Sequence, residues 1–170
     1  ITKKYDVIIL SYSFNEFSKN DQEEIINKYL PYTDLLVIID SGTPECHQSL
    51  MNIKNIVSKQ YHIIAPCIYK NTCPLNNDWC HFITRLSRSS LHRYLKDADA
   101  PFEDEKFTYL AISKNVVEIN KNRILRHPII KGNSVCLSLC SINGVINKEI
   151  YKSDKIQYKT AKKAKAGNLI

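Results

Sequence analysis

The chain has 170 residues, of which 44% are hydrophobic, so it is long enough for one sizeable core but short for two independent domains. Lys and Arg number 24 against 17 Asp and Glu. The resulting net charge of +7 favours a polyanionic partner such as nucleic acid. No apolar run approaches the roughly 20 residues that a membrane helix needs, so no membrane partner is expected.

The first third of the chain alternates strands that are apolar throughout with helices that carry capping residues. This order predicts an α/β fold with a doubly wound sheet, whose ligands sit at the carboxyl ends of the strands. That edge would lie at residues 11–16 and 40–43. The elements are predicted at residues 4–10 (strand), 20–29 (helix), 35–40 (strand) and 47–58 (helix).

The second half of the chain predicts a basic helix followed by further strands. The helix is expected over residues 80–96, where basic side chains recur three or four apart and would form one stripe. The stripe favours contact with RNA phosphates, and an ordinary solvated helix face is the alternative. Its residues are Arg85, Arg88, His92, Arg93 and Lys96. Residues 62–67 either begin a third strand or lead out of the sheet. Further strands are expected at residues 106–113 and around turns at 131–133 and 141–144, before a lysine-rich tail from Tyr151.

Residues 67–80, with the sequence CIYKNTCPLNNDWC, place three cysteines on a polar loop. Their spacing is too irregular for a helix face and too polar for a core strand, so a metal site is the most economical interpretation. Three thiolates need a fourth ligand to complete a tetrahedral or cluster site. Cys136, Cys140 and His81 are the options, and spacing alone does not choose among them. Zinc and an iron–sulfur cluster both fit these ligand types.

The predicted strands are too few for a complete nucleotide-binding sheet, and none of the four glycines opens a long helix as a phosphate-binding turn would. The pattern matches the C-terminal half of a class I methyltransferase (Rossmann-like) sheet that ends in an antiparallel hairpin. We expect the N-terminal half from elsewhere, and a separate chain is one source. The predicted parts are residues 1–61 with 106–150 (half domain), 62–105 (cysteine-rich metal-binding insertion with a basic helix) and 151–170 (lysine-rich tail).

Several stretches together resemble one known family along essentially the whole chain. The chain is similar to the methyltransferase-like family of small ribosomal subunit assembly proteins, which occurs in mitochondria and in bacteria such as the α-proteobacteria. The stretches are LSYSFNEF, VIIDSGTPECHQSL, CPLNNDWCHF, RLSRSSLHRYLKDADAPFEDEKFTYLAIS and RILRHPIIKGNSVCLSLCSINGVI.

The resemblance implies a class I S-adenosylmethionine-dependent methyltransferase fold and, in mitochondrial members, a four-cysteine [4Fe-4S] cluster. The implied cluster ligands are Cys67, Cys73, Cys80 and Cys140. In related methyltransferases the turn that corresponds to the end of the strand predicted at residues 4–10 lies near the cofactor, so the resemblance makes Ser11, Asn15 and Glu16 candidate contacts to S-adenosylmethionine. The alternative is that Asn15 and Glu16 simply start the following helix. One departure is that Ile68-Tyr69 stands where the family usually has a Pro-His pair.

The expected function is that of a component or assembly factor of the small ribosomal subunit, which binds rRNA and ribosomal proteins through a methyltransferase-like scaffold. The alternative is an active S-adenosylmethionine-dependent rRNA methyltransferase. Mitochondria are the expected compartment, and the bacterial cytoplasm is the alternative.

Overall fold

A computed structural model describes residues 3–75 and 77–170, which form two β-sheets with four α-helices packed around them. None of the helices in this part of the chain is long and apolar enough to cross a membrane. In chain order the elements are β1 (Tyr5–Ser11), α1 (Lys19–Tyr29), β2 (Thr33–Ser41), α2 (Pro44–Val57), β3 (His62–Ala65), β4 (Phe82–Ser87), α3 (Ser90–Leu95), β5 (Phe102–Ser113), β6 (Arg123–Ile124), β7 (Ile129–Ile130), β8 (Ser134–Ser141), β9 (Gly144–Tyr151) and α4 (Lys155–Lys163).

The first sheet has the strand order β1-β2-β5-β3, and β4 also pairs with β5. Strands β1 and β2 are parallel, as predicted, while β5 runs antiparallel to β2, β3 and β4. Phe107 of β5 pairs with Ser41 on one edge and with Phe82 on the other. Strands β3 and β4 therefore share one edge of β5, and the cysteine loop leaves and re-enters the sheet between them.

Local sequence signals explain the first two helices. Ser18 caps α1 by accepting a hydrogen bond from the amide of Asp21, and Thr43 caps α2 in the same way. Pro44 occupies the first turn of α2, where its missing N–H costs nothing. Both helices begin one to three residues earlier than predicted because these caps lie upstream of the apolar pattern.

The main core lies between one face of the first sheet and the helices α1 and α2. Leu36 and Ile38 of β2 are fully buried there, and they alternate with residues that face the opposite side of the sheet. On that opposite side Val7 and Ile9 of β1 remain 48% and 59% exposed. One face of the first sheet is thus packed, while the other leaves apolar side chains of β1 exposed.

The second sheet is built around β8, which pairs along its whole length with β9 and on its other edge with β6 and then β7. The turns that connect these strands fall where they were predicted. The terminal hairpin, however, does not extend the parallel sheet as expected, since β5 fills the antiparallel position beside β2. The hairpin instead has a small core of its own, in which Leu137 and Leu139 are buried.

Residues 151–170 were predicted as a lysine-rich tail, and the structure folds them onto the second sheet. Ala161 of α4 is fully buried against the core of that sheet. After the helix the chain returns along β6, where the backbone of Ile170 pairs with that of Asn122. The lysines of this segment therefore lie on or next to a helix that packs against the second sheet.

The predicted helix over residues 80–96 is wrong. Residues 82–87 form β4, which pairs with the first half of β5, and only Ser90–Leu95 are helical. The three- and four-residue spacing of basic side chains suggested one helix. Ser89 caps α3, however, so the helix starts only at Ser90, and it is six residues long. The same pairing makes β5 begin at Phe102, four residues before the predicted start of this strand at residue 106.

Gly42 lies where β2, β5 and the cysteine loop meet. Its amide donates to the carbonyl of Lys106 at 3.0 Å, and its carbonyl accepts from Trp79 Nε1 at 2.8 Å. A Cβ at this position would lie 3.0 Å from backbone atoms of Lys106 and Phe107. The backbone of β5 at these two residues leaves little room for a side chain at Gly42.

We predict that Gly42→Ala lowers the free energy of unfolding by about 1–3 kcal/mol, because the added methyl group must displace backbone. The matched control is Gly132→Ala, whose Cβ would meet nothing within 4 Å and whose effect should stay within about 0.5 kcal/mol. Urea unfolding of both variants measures the difference. Equal effects of the two substitutions would contradict the close approach at Gly42.

Candidate metal centre

Four of the six cysteines line one cavity between the two sheets. Cys67, Cys73 and Cys80 come from the irregular loop between β3 and β4, and Cys140 comes from the end of β8. The cavity measures about 20 Å³ as the space open to the centre of a water molecule. This exceeds the ~10–15 Å³ that one water needs. The fold thus brings together thiols that lie up to 73 residues apart in the sequence.

The other proposed fourth ligands do not line this cavity. Cys136 lies near the start of β8, where its thiol contacts the side chains of Lys131 and Glu149. His81 follows Cys80 directly, but its ring packs against Trp79 with 5.2 Å between ring centroids. Among the three options only Cys140 shares the cavity with the loop cysteines.

Two of the thiols in the cavity, those of Cys67 and Cys80, hold their protons strongly. Burial raises the pKa of Cys67 to about 11, and the neighbouring Cys140 and Cys73 add to this rise while Lys54 opposes it. Burial also raises the pKa of Cys80, again with a contribution from the other cysteines. Because metals bind thiolates, any metal entering this cavity must displace these protons.

The thiols surround a space and do not converge on a point. In the described residues no group of three or more His, Cys, Asp or Glu side chains is placed to hold a metal ion. A tetrahedral zinc site with Zn–S bonds of about 2.3 Å needs sulfur atoms about 3.8 Å apart. The shared cavity, and not a compact ion site, is therefore the feature that relates the four cysteines.

A buried lysine holds the first part of the cysteine loop. The side chain of Lys54 on α2 is 1% exposed. Its ammonium group donates to the carbonyl of Tyr69 at 2.9 Å and to that of Asn71 at 2.7 Å. These two carbonyls lie between Cys67 and Cys73, so Lys54 fixes the backbone that carries both thiols.

Further donors hold the two ends of the loop. Arg123 of β6 donates from Nε to the carbonyl of Pro66 at 2.6 Å, and it faces Cys140 across the β6–β8 ladder. Arg126 donates to the carbonyl of Trp79 at 2.8 Å. The buried hydroxyl of Thr108 on β5 donates to the carbonyl of Cys80 at 3.1 Å. The irregular backbone of the loop is thus stabilised by side chains of both sheets.

Two of these cations are buried without an anionic partner. Lys54 and Arg123 donate to carbonyl groups, and in the described ranges neither lies within ion-pair distance of a carboxylate. Burying an unpaired charge is costly. The surroundings of the cavity would therefore favour a ligand of net negative charge.

The same face of α2 carries a residue that the sequence analysis missed. His47, Met51 and Lys54 follow one another at helical spacing, and all three line the cavity. The imidazole of His47 is 6% exposed, and burial is the main cause that lowers its pKa to about 4. The ring is therefore neutral near pH 7. The available signal was the four- and three-residue spacing that places these side chains on the same buried face as Leu50 and Val57.

The predicted basic stripe is divided between β4 and α3, and most of it is ion-paired. Arg85 binds Asp104 through two hydrogen bonds of 2.8 and 3.0 Å. Glu103 forms ion pairs with three other cations of the stripe. Hydrogen bonds from Arg88 and, to a smaller extent, Lys96 lower the pKa of Glu103. The cations around Glu103 are Arg88, His92 and Lys96, while Arg93 on α3 is exposed. A role of these residues in RNA binding stays a prediction.

The residues proposed to contact S-adenosylmethionine lie at the carboxyl end of β1. Ser11, Asn15 and Glu16 are all exposed there. The amide of Asn15 donates to Asp40 Oδ2 at 2.9 Å, which joins the ends of the two parallel strands. The cofactor contact, and with it the alternative of an active methyltransferase, stays a prediction.

We predict that Lys54→Met lowers the free energy of unfolding by about 2–4 kcal/mol, because it removes two charge-assisted hydrogen bonds and leaves two carbonyls unsatisfied. The control is Lys59→Met, which changes an exposed lysine just after α2 and should cost less than about 0.5 kcal/mol. Urea unfolding with and without a chelator measures both. A loss for Lys54→Met no larger than that of the control would contradict this role.

A comparison of the sequence with models of known protein families identifies one matching family. The model of the family described as mitochondrial small ribosomal subunit Rsm22 matches residues 1–170. No curated protein matches the chain. The family's description confirms the mitochondrial localisation and the small-subunit context predicted from the sequence. The chain belongs to the mitochondrial small ribosomal subunit Rsm22 family.

Proposed function

We propose that this protein is a structural or assembly component of the mitochondrial small ribosomal subunit that binds rRNA and is stabilised by a cysteine-ligated [4Fe-4S] cluster. The observation that carries the proposal is that Cys67, Cys73, Cys80 and Cys140 all line one cavity. Family membership supplies the ribosomal context.

The donor set and its surroundings fit such a cluster. Four thiols are the usual ligands of iron–sulfur clusters. A cluster brings its own metal and sulfide atoms between the ligands, so its cysteines need not approach one another as closely as around a single zinc ion. The buried cations Lys54 and Arg123 would balance the negative charge of four thiolates.

The centre would act as a cross-link within the fold. When bound, it would supply a covalent tie between the cysteine loop of the first sheet and β8 of the second. Closing so long a stretch of chain removes much conformational entropy from the unfolded state. In this proposal the loop and the second sheet keep a fixed relative position because both hold the same centre.

A second basic surface is less neutralised than the predicted stripe, and we propose that it contacts RNA. We call it the α4 face, and all of its lysines are exposed. Within the residues described, none of them lies within ion-pair distance of a carboxylate. Phosphate contacts by such lysines are sequence-independent and add their charges. The α4 face comprises Lys155, Lys159, Lys162, Lys163 and Lys165.

The first sheet also has room for further strands. In the part of the chain that the structure describes, β1 pairs only with β2, so its other edge is open. The exposed side chains of Val7 and Ile9 lie on this strand. Open apolar edges are usually covered in native proteins. We therefore infer that the remaining half of a methyltransferase-like sheet, from this protein or a separate chain, packs against β1.

For the metal centre we predict that Cys140→Ser abolishes bound iron and sulfide, whereas Cys136→Ser keeps the wild-type content. The two residues lie four apart on β8, so the pair is a matched test. Anaerobic purification followed by iron, sulfide and zinc analysis with visible absorption gives the readout. Retention of iron by Cys140→Ser would refute the ligand assignment, and zinc without sulfide in the wild type would favour the zinc alternative.

For RNA binding we predict that Lys155→Gln, Lys159→Gln and Lys162→Gln together weaken binding to small-subunit rRNA fragments. Each lost phosphate contact should lower the slope of log affinity against log salt by about one. The control changes three exposed lysines of α1 and the end of α2, Lys19, Lys28 and Lys59, to Gln. Equal losses in both triple variants would indicate a net-charge effect and contradict a specific α4 face.

A further inference from the structure

One buried polar atom lacks a hydrogen-bond partner within the described residues, and it belongs to the cavity. The atom is Nδ1 of His47, whose side chain lines the same space as the four cysteines. Buried polar groups in native proteins nearly always have a partner, so an unpaired one indicates a ligand, ion or water at that place.

The position of His47 fits a contact to the contents of the cavity. The residue lies in the first turn of α2, where its amide bonds to Thr43 and holds the backbone in place. Lys54, about two turns further along the same face of the helix, already donates to two carbonyls. Met51 between them has no N–H to donate. On this face of α2 His47 is thus the donor that remains available.

We propose that His47 donates a hydrogen bond from Nδ1 to a sulfur atom of the centre held by Cys67, Cys73, Cys80 and Cys140. The inference rests on the proposed iron–sulfur centre. A neutral imidazole has one N–H to give, and thiolate and sulfide sulfur atoms are acceptors. Such a bond would satisfy the unpaired atom and make His47 a positioning and tuning residue for the centre.

The bond has a measurable consequence for the redox behaviour of the centre. Hydrogen bonds to the sulfurs are among the factors that set the reduction potential of a cluster. A donor stabilises the reduced state more, because that state carries more negative charge on its sulfurs. Removing the donor should therefore shift the reduction potential to a more negative value.

The test is an anaerobic redox titration of the full chain, followed by electron paramagnetic resonance, with two substitutions at one site. His47→Leu removes the donor, and we expect a more negative potential and faster loss of iron in air. His47→Asn places an amide N–H near the position of Nδ1, and we expect a potential close to that of the wild type. His62→Leu, which changes an exposed histidine on β3, should leave the potential unchanged.

Each outcome decides the proposal. An unshifted potential in His47→Leu would overturn the hydrogen bond while leaving the cluster in place. If His47→Leu binds no cluster, His47→Asn decides: a wild-type potential supports the bond, and loss of the cluster or a shift like that of a missing donor overturns it. A wild-type protein that contains neither iron nor sulfide would overturn the metal centre itself, and the role of His47 with it.

Discussion

The burial of two cations beneath an irregular loop is the constraint on which the centre of this structure depends. Lys54 and Arg123 reach the loop from opposite sides, one from a helix of the first sheet and one from a strand of the second. Each binds carbonyl groups that regular secondary structure leaves unused. A loop without strand or helix hydrogen bonds can hold a definite shape only if its backbone groups find partners elsewhere. Here those partners carry charge, which makes the surroundings of the cysteines electropositive.

This arrangement links the two sheets more closely than their separate hydrophobic cores would. Each sheet buries its own apolar cluster, and a third, smaller cluster around Cys80, Phe82 and Leu125 lies at the junction. Arg123 connects the loop to the second sheet, because its side chain donates a hydrogen bond to the loop and its backbone pairs with Cys140 between β6 and β8. Family membership relates this architecture to the mitochondrial small ribosomal subunit. The proposed centre and the α4 face together describe how a fold of this kind could hold itself together and contact RNA.

The sequence predicted the parts of the fold that depend on local signals. The parallel strands β1 and β2 and the first two helices follow from apolar periodicity and caps, and the strand turns of the second sheet were also found. The helix at residues 80–96 was wrong because the pairing partner of β4 lies about twenty residues downstream, where single-sequence patterns carry no information. For the same reason the sequence could not show that Glu103 and Asp104 neutralise the stripe. His47 was missed because its significance depends on a cavity formed by several segments that lie far apart in the sequence.

The origin of the cavity in distant segments also affects the order in which the protein can mature. During synthesis the cysteine loop emerges about sixty residues before Cys140, so an early chain presents three thiols without the strand that completes their surroundings. The set of four thiols is complete only when β8 is present, where Cys140 pairs with Arg123 of β6. The loop cysteines of the first sheet therefore reach their final surroundings only when the second sheet has formed. A chain cut short before β8 would expose these cysteines to oxidation and to quality-control proteases.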